Sequence, residues 1–141
     1  MRPIQQISGD VLLLIYALQR QGETGDGIVS LDRRFTQFES SEFGQKILAA
    51  SGGKVIDAYE ALRYLEEKGF LYFKESNDNM TFHFINMRVT AFGVDIVEGI
   101  EKGDAERKAF QMIFNIKLAD NINVESLIKN ELGSLVKISA I

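Results

Sequence analysis

The amino-acid sequence predicts an α+β fold, and three observations carry that prediction. Apolar residues recur at helical spacing over residues 54–68, where Val55, Tyr59, Leu62 and Leu65 form one stripe with Ala58 beside them. Two short segments rich in β-branched and aromatic residues, 70–74 and 81–87, follow directly. They flank the turn Ser76-Asn77-Asp78-Asn79, whose side chains bond their own backbone and tolerate left-handed geometry. Thr90 then stands where a cap opens another helix over 91–101, with Val94, Val97 and Ile100 on one side.

The other elements follow in chain order. Ser8 or Asp10 can cap a first helix over 11–20, whose nearly continuous apolar residues predict burial on most faces. Glycines at 22, 25 and 27 end it. Residues 28–31 are short and β-branched, which predicts a small strand. Residues 32–40 read equally as helix or irregular turn, since either buries Phe35 and Phe38. A helix resumes at Ser41 with Phe43, Ile47 and Leu48 on one side, and Ser51-Gly52-Gly53 stops it. The helix over 54–68 ends with Lys68 in its last turn and Gly69 as the residue beyond.

The order helix, strand, turn, strand, helix over 51–93 is the helix-plus-wing half of a winged helix-turn-helix domain, placed here at residues 1–101. Residues 102–141 form an appendage. In it Phe110, Met112, Phe114, Ile116 and Leu118 alternate with polar neighbours, the period of a half-buried strand. Asn123 caps a short helix carrying Val124, Leu127, Ile128 and Leu132, Gly133 stops it, and residues 135–141 return to strand. Such a strand-helix-strand tail is too small to bury a core alone. It packs either on its own domain or on a second copy. Two free strand edges favour a homodimer through residues 110–141.

Composition narrows the function. The chain has 141 residues, a formal net charge of −4 spread evenly, and no cysteine, so thiol catalysis and thiolate metal sites are excluded. His83, the lone histidine, lies between Phe82 and Phe84 on a strand and is expected to face solvent or a partner; no metal cluster needing two histidines can form. Glycine-rich residues 22–27 lack the Lys-Ser/Thr of a phosphate loop, and no serine sits in a nucleophile elbow. The reading is a non-enzyme with no cofactor and no metal. The longest apolar run, 11–18, is shorter than the ~18–20 residues that span a bilayer, so no membrane partner and a cytoplasmic location are expected.

Two motifs carry a family resemblance over roughly residues 8–101. Leu65-Glu66-Glu67-Lys68-Gly69-Phe70-Leu71 resembles the end of the recognition helix in small bacterial winged-helix regulators of the MarR and PadR groups. Arg88-Val89-Thr90-Ala91-Phe92-Gly93 is similar to their join from wing to last helix. The resemblance implies double-stranded DNA as partner and a role in transcription regulation. The helix over 54–68 would enter the major groove and the wing would reach the backbone or minor groove.

Candidate DNA-binding residues follow from that placement. Ser51, Lys54 and Asp57 sit where base-reading side chains lie, Arg33 and Arg34 form an adjacent basic pair, and Lys74 and Arg88 flank the wing. Two features oppose the reading. The turn at 76–80 carries Asp78 and no basic residue, and the helix sets Lys54, Arg63 and Lys68 against Asp57, Glu60, Glu66 and Glu67. A surface without excess positive charge attracts phosphate weakly. The same charges fit an alternative, a protein-interaction module on the same scaffold.

Overall fold

Helix α1 (Ile4–Arg20) is the axis on which the other elements pack. The computed structural model describes residues 2–136. Every residue from Ile7 to Leu18 is buried, as expected for a helix apolar on nearly all sides. The helix starts earlier than its capping residues predict. Pro3 occupies the entry position, and Ser8 and Asp10 lie buried inside the helix rather than at its cap. Proline fits there because its missing N–H needs no partner in the first turn.

The cost of that early start falls on Asp10. Its side chain accepts from Arg2, while among the described residues Oδ1 meets no donor. Burial, reinforced by the Glu131 carboxyl and only partly relieved by Arg2, pushes Asp10 up to about 7 from an ordinary 3.8. A pKa raised by folding means that the folded state holds a proton the unfolded chain has released. Stability from this group is complete below about pH 4 and is lost as pH rises through 7. Asp10→Asn is expected to melt above the parent at pH 7.5, the difference closing below pH 4; thermal melts at the two pH values check it.

After α1 come β1 (Val29–Asp32), β2 (Phe38–Ser40), α2 (Glu42–Ala50), α3 (Val55–Glu67), β3 (Leu71–Glu75), β4 (Thr81–Val89) and α4 (Ala91–Glu98), which runs into a 3-10 turn at Gly99–Glu101. The strands form one antiparallel sheet in the order β2-β1-β4-β3. Its inner face buries Val29, Leu31, Leu71, Phe73, Phe84, Met87 and Val89 against the helices. Strict alternation would place Phe84 and Met87 on opposite faces. A register shift opposite Tyr72–Lys74, with Asn86 at φ 57°, inserts the extra residue that turns both inward.

The strand expected at 28–31 is present one residue later, and the open segment 32–40 resolves into a turn and β2. The predicted caps are present at two helix starts. Thr90 accepts from Gly93 N at 3.0 Å, and Asn123 accepts from Ser126 N at 2.7 Å. Gly69 takes φ 80° beyond α3, the left-handed geometry that ends a helix at low steric cost.

The tail departs from its predicted strand. Residues Asp104–Phe114 form α5, followed by an irregular segment, α6 (Val124–Leu132) and a 3-10 turn at Gly133–Leu135. Phe110 and Phe114, four residues apart, are both buried on one helical face, whereas Met112, which a two-residue period would bury, is 84% exposed. Asp104 and Glu106 in the first turn suit the positive helix end, and Asn115 at φ 52° stops it. Ile116 and Leu118 are buried in the irregular segment, held by Leu118 N donating to Gln111 Oε1 at 2.8 Å. The second strand expected, 135–141, lies from residue 137 outside the described residues. Helices α5 and α6 join the core of α1 within one chain. The strand-edge argument for a homodimer through 110–141 therefore loses its first strand.

Candidate nucleic-acid interface

The turn between β1 and β2 is built around two residues. Asp32 accepts at its Oδ1 from Thr36 N and Gln37 N, each at 2.8 Å, and takes the Thr36 hydroxyl as well. Those donors hold the Asp32 carboxyl below its ordinary range, the Thr36 hydroxyl contributing most. Phe35 adopts φ 58°, rare for a bulky residue, and its ring lies 4.8 Å from Tyr59 of α3 and 6.2 Å from Phe82 of β4. The turn is thus folded back onto the junction between α3 and the β3–β4 hairpin.

This folding sets the position of the basic pair. Arg33 donates from Nε to the Asp78 carbonyl at 2.7 Å and from its backbone N–H to the Met80 carbonyl at 3.1 Å. Its guanidinium sits 4.6 Å from the Phe82 ring centroid. Arg34 beside it is exposed. The hairpin tip carries no basic residue of its own but receives Arg33 from another loop. Sequence patterns gave no sign of this, because Phe35 and Tyr59 stand far apart in the chain.

The other predicted residues divide among three places. Lys54 is exposed at the entry of α3, and among the described residues no side chain accepts from the first N–H groups of the helix. Asp57 is half-buried in the first turn. Lys74 and Arg88 are exposed on the outer face of the sheet, away from α3, and Arg88 lies 4.8 Å from the ring of Tyr72, its cross-strand partner. Ser51 does not belong with them. It is 2% exposed and its hydroxyl donates to the Ile47 carbonyl at 2.8 Å, so it closes α2 and cannot reach a base.

Sequence reasoning missed the engagement of Arg63. Its guanidinium is clamped by both oxygens of Glu75, the Nη2–Oε2 bond measuring 2.9 Å, and it also reaches Glu66 at 3.2 Å and the Tyr59 hydroxyl at 3.1 Å. Arg63 holds the Glu75 carboxyl down to about 2. The middle of α3 therefore offers no free cation, and its solvent side presents Ile56, Glu60 and Glu67. A spacing of 12 residues between helix and hairpin gives no periodic signal for such a pair.

His83 faces outward as predicted but is half-buried and bonded. Nδ1 meets the Ser30 hydroxyl at 2.8 Å, and Nε2 meets Asp78 Oδ2 at 3.3 Å. Asp78 Oδ1 also accepts from Met80 N and Thr81 N, each at 2.8 Å. This chain ties the hairpin tip to β1 and fixes the backbone on which Arg33 rests.

Among the described residues no group of histidine, cysteine, aspartate and glutamate is arranged to hold a metal ion, and no helix is long and apolar enough to cross a membrane. Comparison with known proteins finds no matching family model, curated protein or solved structure.

Proposed function

We propose that the chain is a winged-helix protein that binds duplex DNA through the loop carrying Arg33 and Arg34, the hairpin tip, and the N-terminal turn of α3. The observation that carries the reading is the seating of Arg33 on the hairpin tip, on the α3 side of the sheet. The element order α1, β1, α2, α3, β3, β4, with β1 pairing β4 and β4 pairing β3, supports the winged-helix scaffold. β2 is an addition whose connecting turn delivers the arginines. In this arrangement Lys54 and the first N–H groups of α3 meet one phosphate run while Arg33 and Arg34 meet the next. Regulation of transcription would follow from such binding.

The test is fluorescence anisotropy with a mixed-sequence duplex. The Arg33→Glu/Arg34→Glu variant is expected to bind roughly tenfold or more weakly and to show a shallower salt dependence, by about two units of the log–log slope. Unchanged affinity in the double variant would reject the reading.

A second reading is favoured by the exposed face of α3. Ile56 is 39% exposed and stands with Glu60 and Glu67, while Arg63 is neutralised by Glu75. This face fits a basic, apolar protein surface better than a phosphate backbone. On that reading no duplex binds even at low salt, and Glu60→Lys/Glu67→Lys abolishes partner binding.

A further inference from the structure

A cavity of about 530 Å³ opens between α1, the 3-10 turn after α4, and α6. That volume lies in the ~300–1,000 Å³ range of small-molecule sites. Its apolar floor is formed by Ala17, Val124 and Ile128, all buried. One ordered polar pair stands on its wall, where the Tyr16 hydroxyl donates to Glu98 Oε2 at 2.7 Å. Burial and the Glu98 carboxylate both push the Tyr16 hydroxyl up, so it remains a donor at any ordinary pH.

The charges around the cavity differ in depth. Glu98 is half-buried, and among the described residues no lysine or arginine forms an ion pair with it. Arg20 and Lys102 line the opening as exposed side chains, where solvent screens them. Glu101 is engaged elsewhere, accepting from Val124 N at 2.7 Å. The wall thus presents an apolar floor beside the Glu98 carboxylate, which Tyr16 holds and which forms no ion pair among the described residues, while Glu125 adds a further exposed carboxylate to the lining and Arg20 reaches the Tyr16 hydroxyl only electrostatically. A half-buried carboxylate gains most from a cationic donor that also shields it from water.

We infer that this cavity binds a small amphipathic amine, its ammonium group on the Glu98 carboxylate and its apolar body on Ala17, Val124 and Ile128. The Tyr16 hydroxyl holds one Glu98 oxygen and leaves the other for the ligand. Bound there, the amine bridges α1 and α6 and stabilises their contact. This inference stands apart from the DNA reading, since none of the residues involved belongs to that surface.

The test is isothermal titration calorimetry at pH 7 with phenethylamine and with 3-phenylpropanoate, which have similar shape and opposite charge. Phenethylamine is expected to bind saturably, and the carboxylate at least about tenfold more weakly. Glu98→Gln keeps an acceptor for Tyr16 and is expected to weaken the amine about tenfold or more, the scale of a lost charge-assisted hydrogen bond. Ile128→Trp, which fills the floor, is expected to abolish binding while the protein still melts cooperatively. Equal binding of the two probes, undiminished amine binding in both variants, or no saturable heat up to about 10 mM amine would overturn the inference.

Discussion

Replacing Gly93 by alanine is expected to destabilise the protein by roughly 3 kcal/mol, at the upper end of the overpacking range. An added Cβ would lie 2.3 Å from the Phe70 carbonyl oxygen and 2.6 Å from Val89 Cγ1. The carbonyl cannot simply withdraw, because it accepts from Thr90 N at 3.0 Å and so joins the end of β4 to the start of β3. Thr90 in turn caps α4 through Gly93 N and donates its hydroxyl to the Gly69 carbonyl at 2.6 Å. One methyl group therefore strains the exit of α3, the hairpin and the cap of α4 together. For a chain of this size the melting temperature is expected to fall by roughly 10 °C. A melt within a degree of the parent would show that the junction is looser than this geometry.

Removing Arg63 is the second large effect. Arg63→Ala is expected to cost roughly 2 kcal/mol, below the ~3–5 kcal/mol of a fully buried broken pair because Arg63 and Glu75 keep 21% and 28% of their side-chain surface in solvent. The loss includes packing as well as charge, since the guanidinium lies 5.2 Å from the Tyr59 ring and 5.0 Å from that of Phe84. The pair also has a pH signature. Arg63 depresses the Glu75 carboxyl from 4.5 to about 2, so its stabilisation is complete above about pH 4.5 and is lost as pH falls toward 2. Arg63→Ala should therefore flatten the acid limb of a melting-temperature profile. An acid limb as steep as the parent's would place the stabilisation elsewhere. Asp10 acts in the opposite sense between about 4 and 7, so the combined contribution of these two groups is greatest at mildly acid pH.

The parts of the fold legible in the sequence are those set by local chemistry. The stripe of α3, the polar hairpin turn, Thr90, Asn123 and Gly69 each act through residues three or four positions away, and each has its expected place. What was not legible depends on contacts between distant segments. The start of α1 moved to Pro3 because tertiary burial, not the cap at Ser8 or Asp10, decides where that helix lies. In α5, Phe110 and Phe114 satisfy both a two-residue and a four-residue spacing, and packing beside Phe70 on the helical core selected the second. The candidate surface shows the same division. Lys54 at a helix entry could be read from the chain. The seating of Arg33 on the hairpin tip could not, because it follows from Phe35 packing against the contacting rings of Tyr59 and Phe82. Ser51, expected beside Lys54 and Asp57 among the base-reading side chains, is turned inward, its hydroxyl donating to the Ile47 carbonyl.

The most direct test of the DNA reading is an amide chemical-shift titration of the isotopically labelled protein with a short duplex at low salt. The arrangement predicts progressive shifts at Arg33, Arg34, Lys54 and the hairpin tip around Asp78 and Met80, reversed by added salt. No shifts at low salt, or shifts confined to Lys74, Arg88 and the outer face of the sheet, would contradict it.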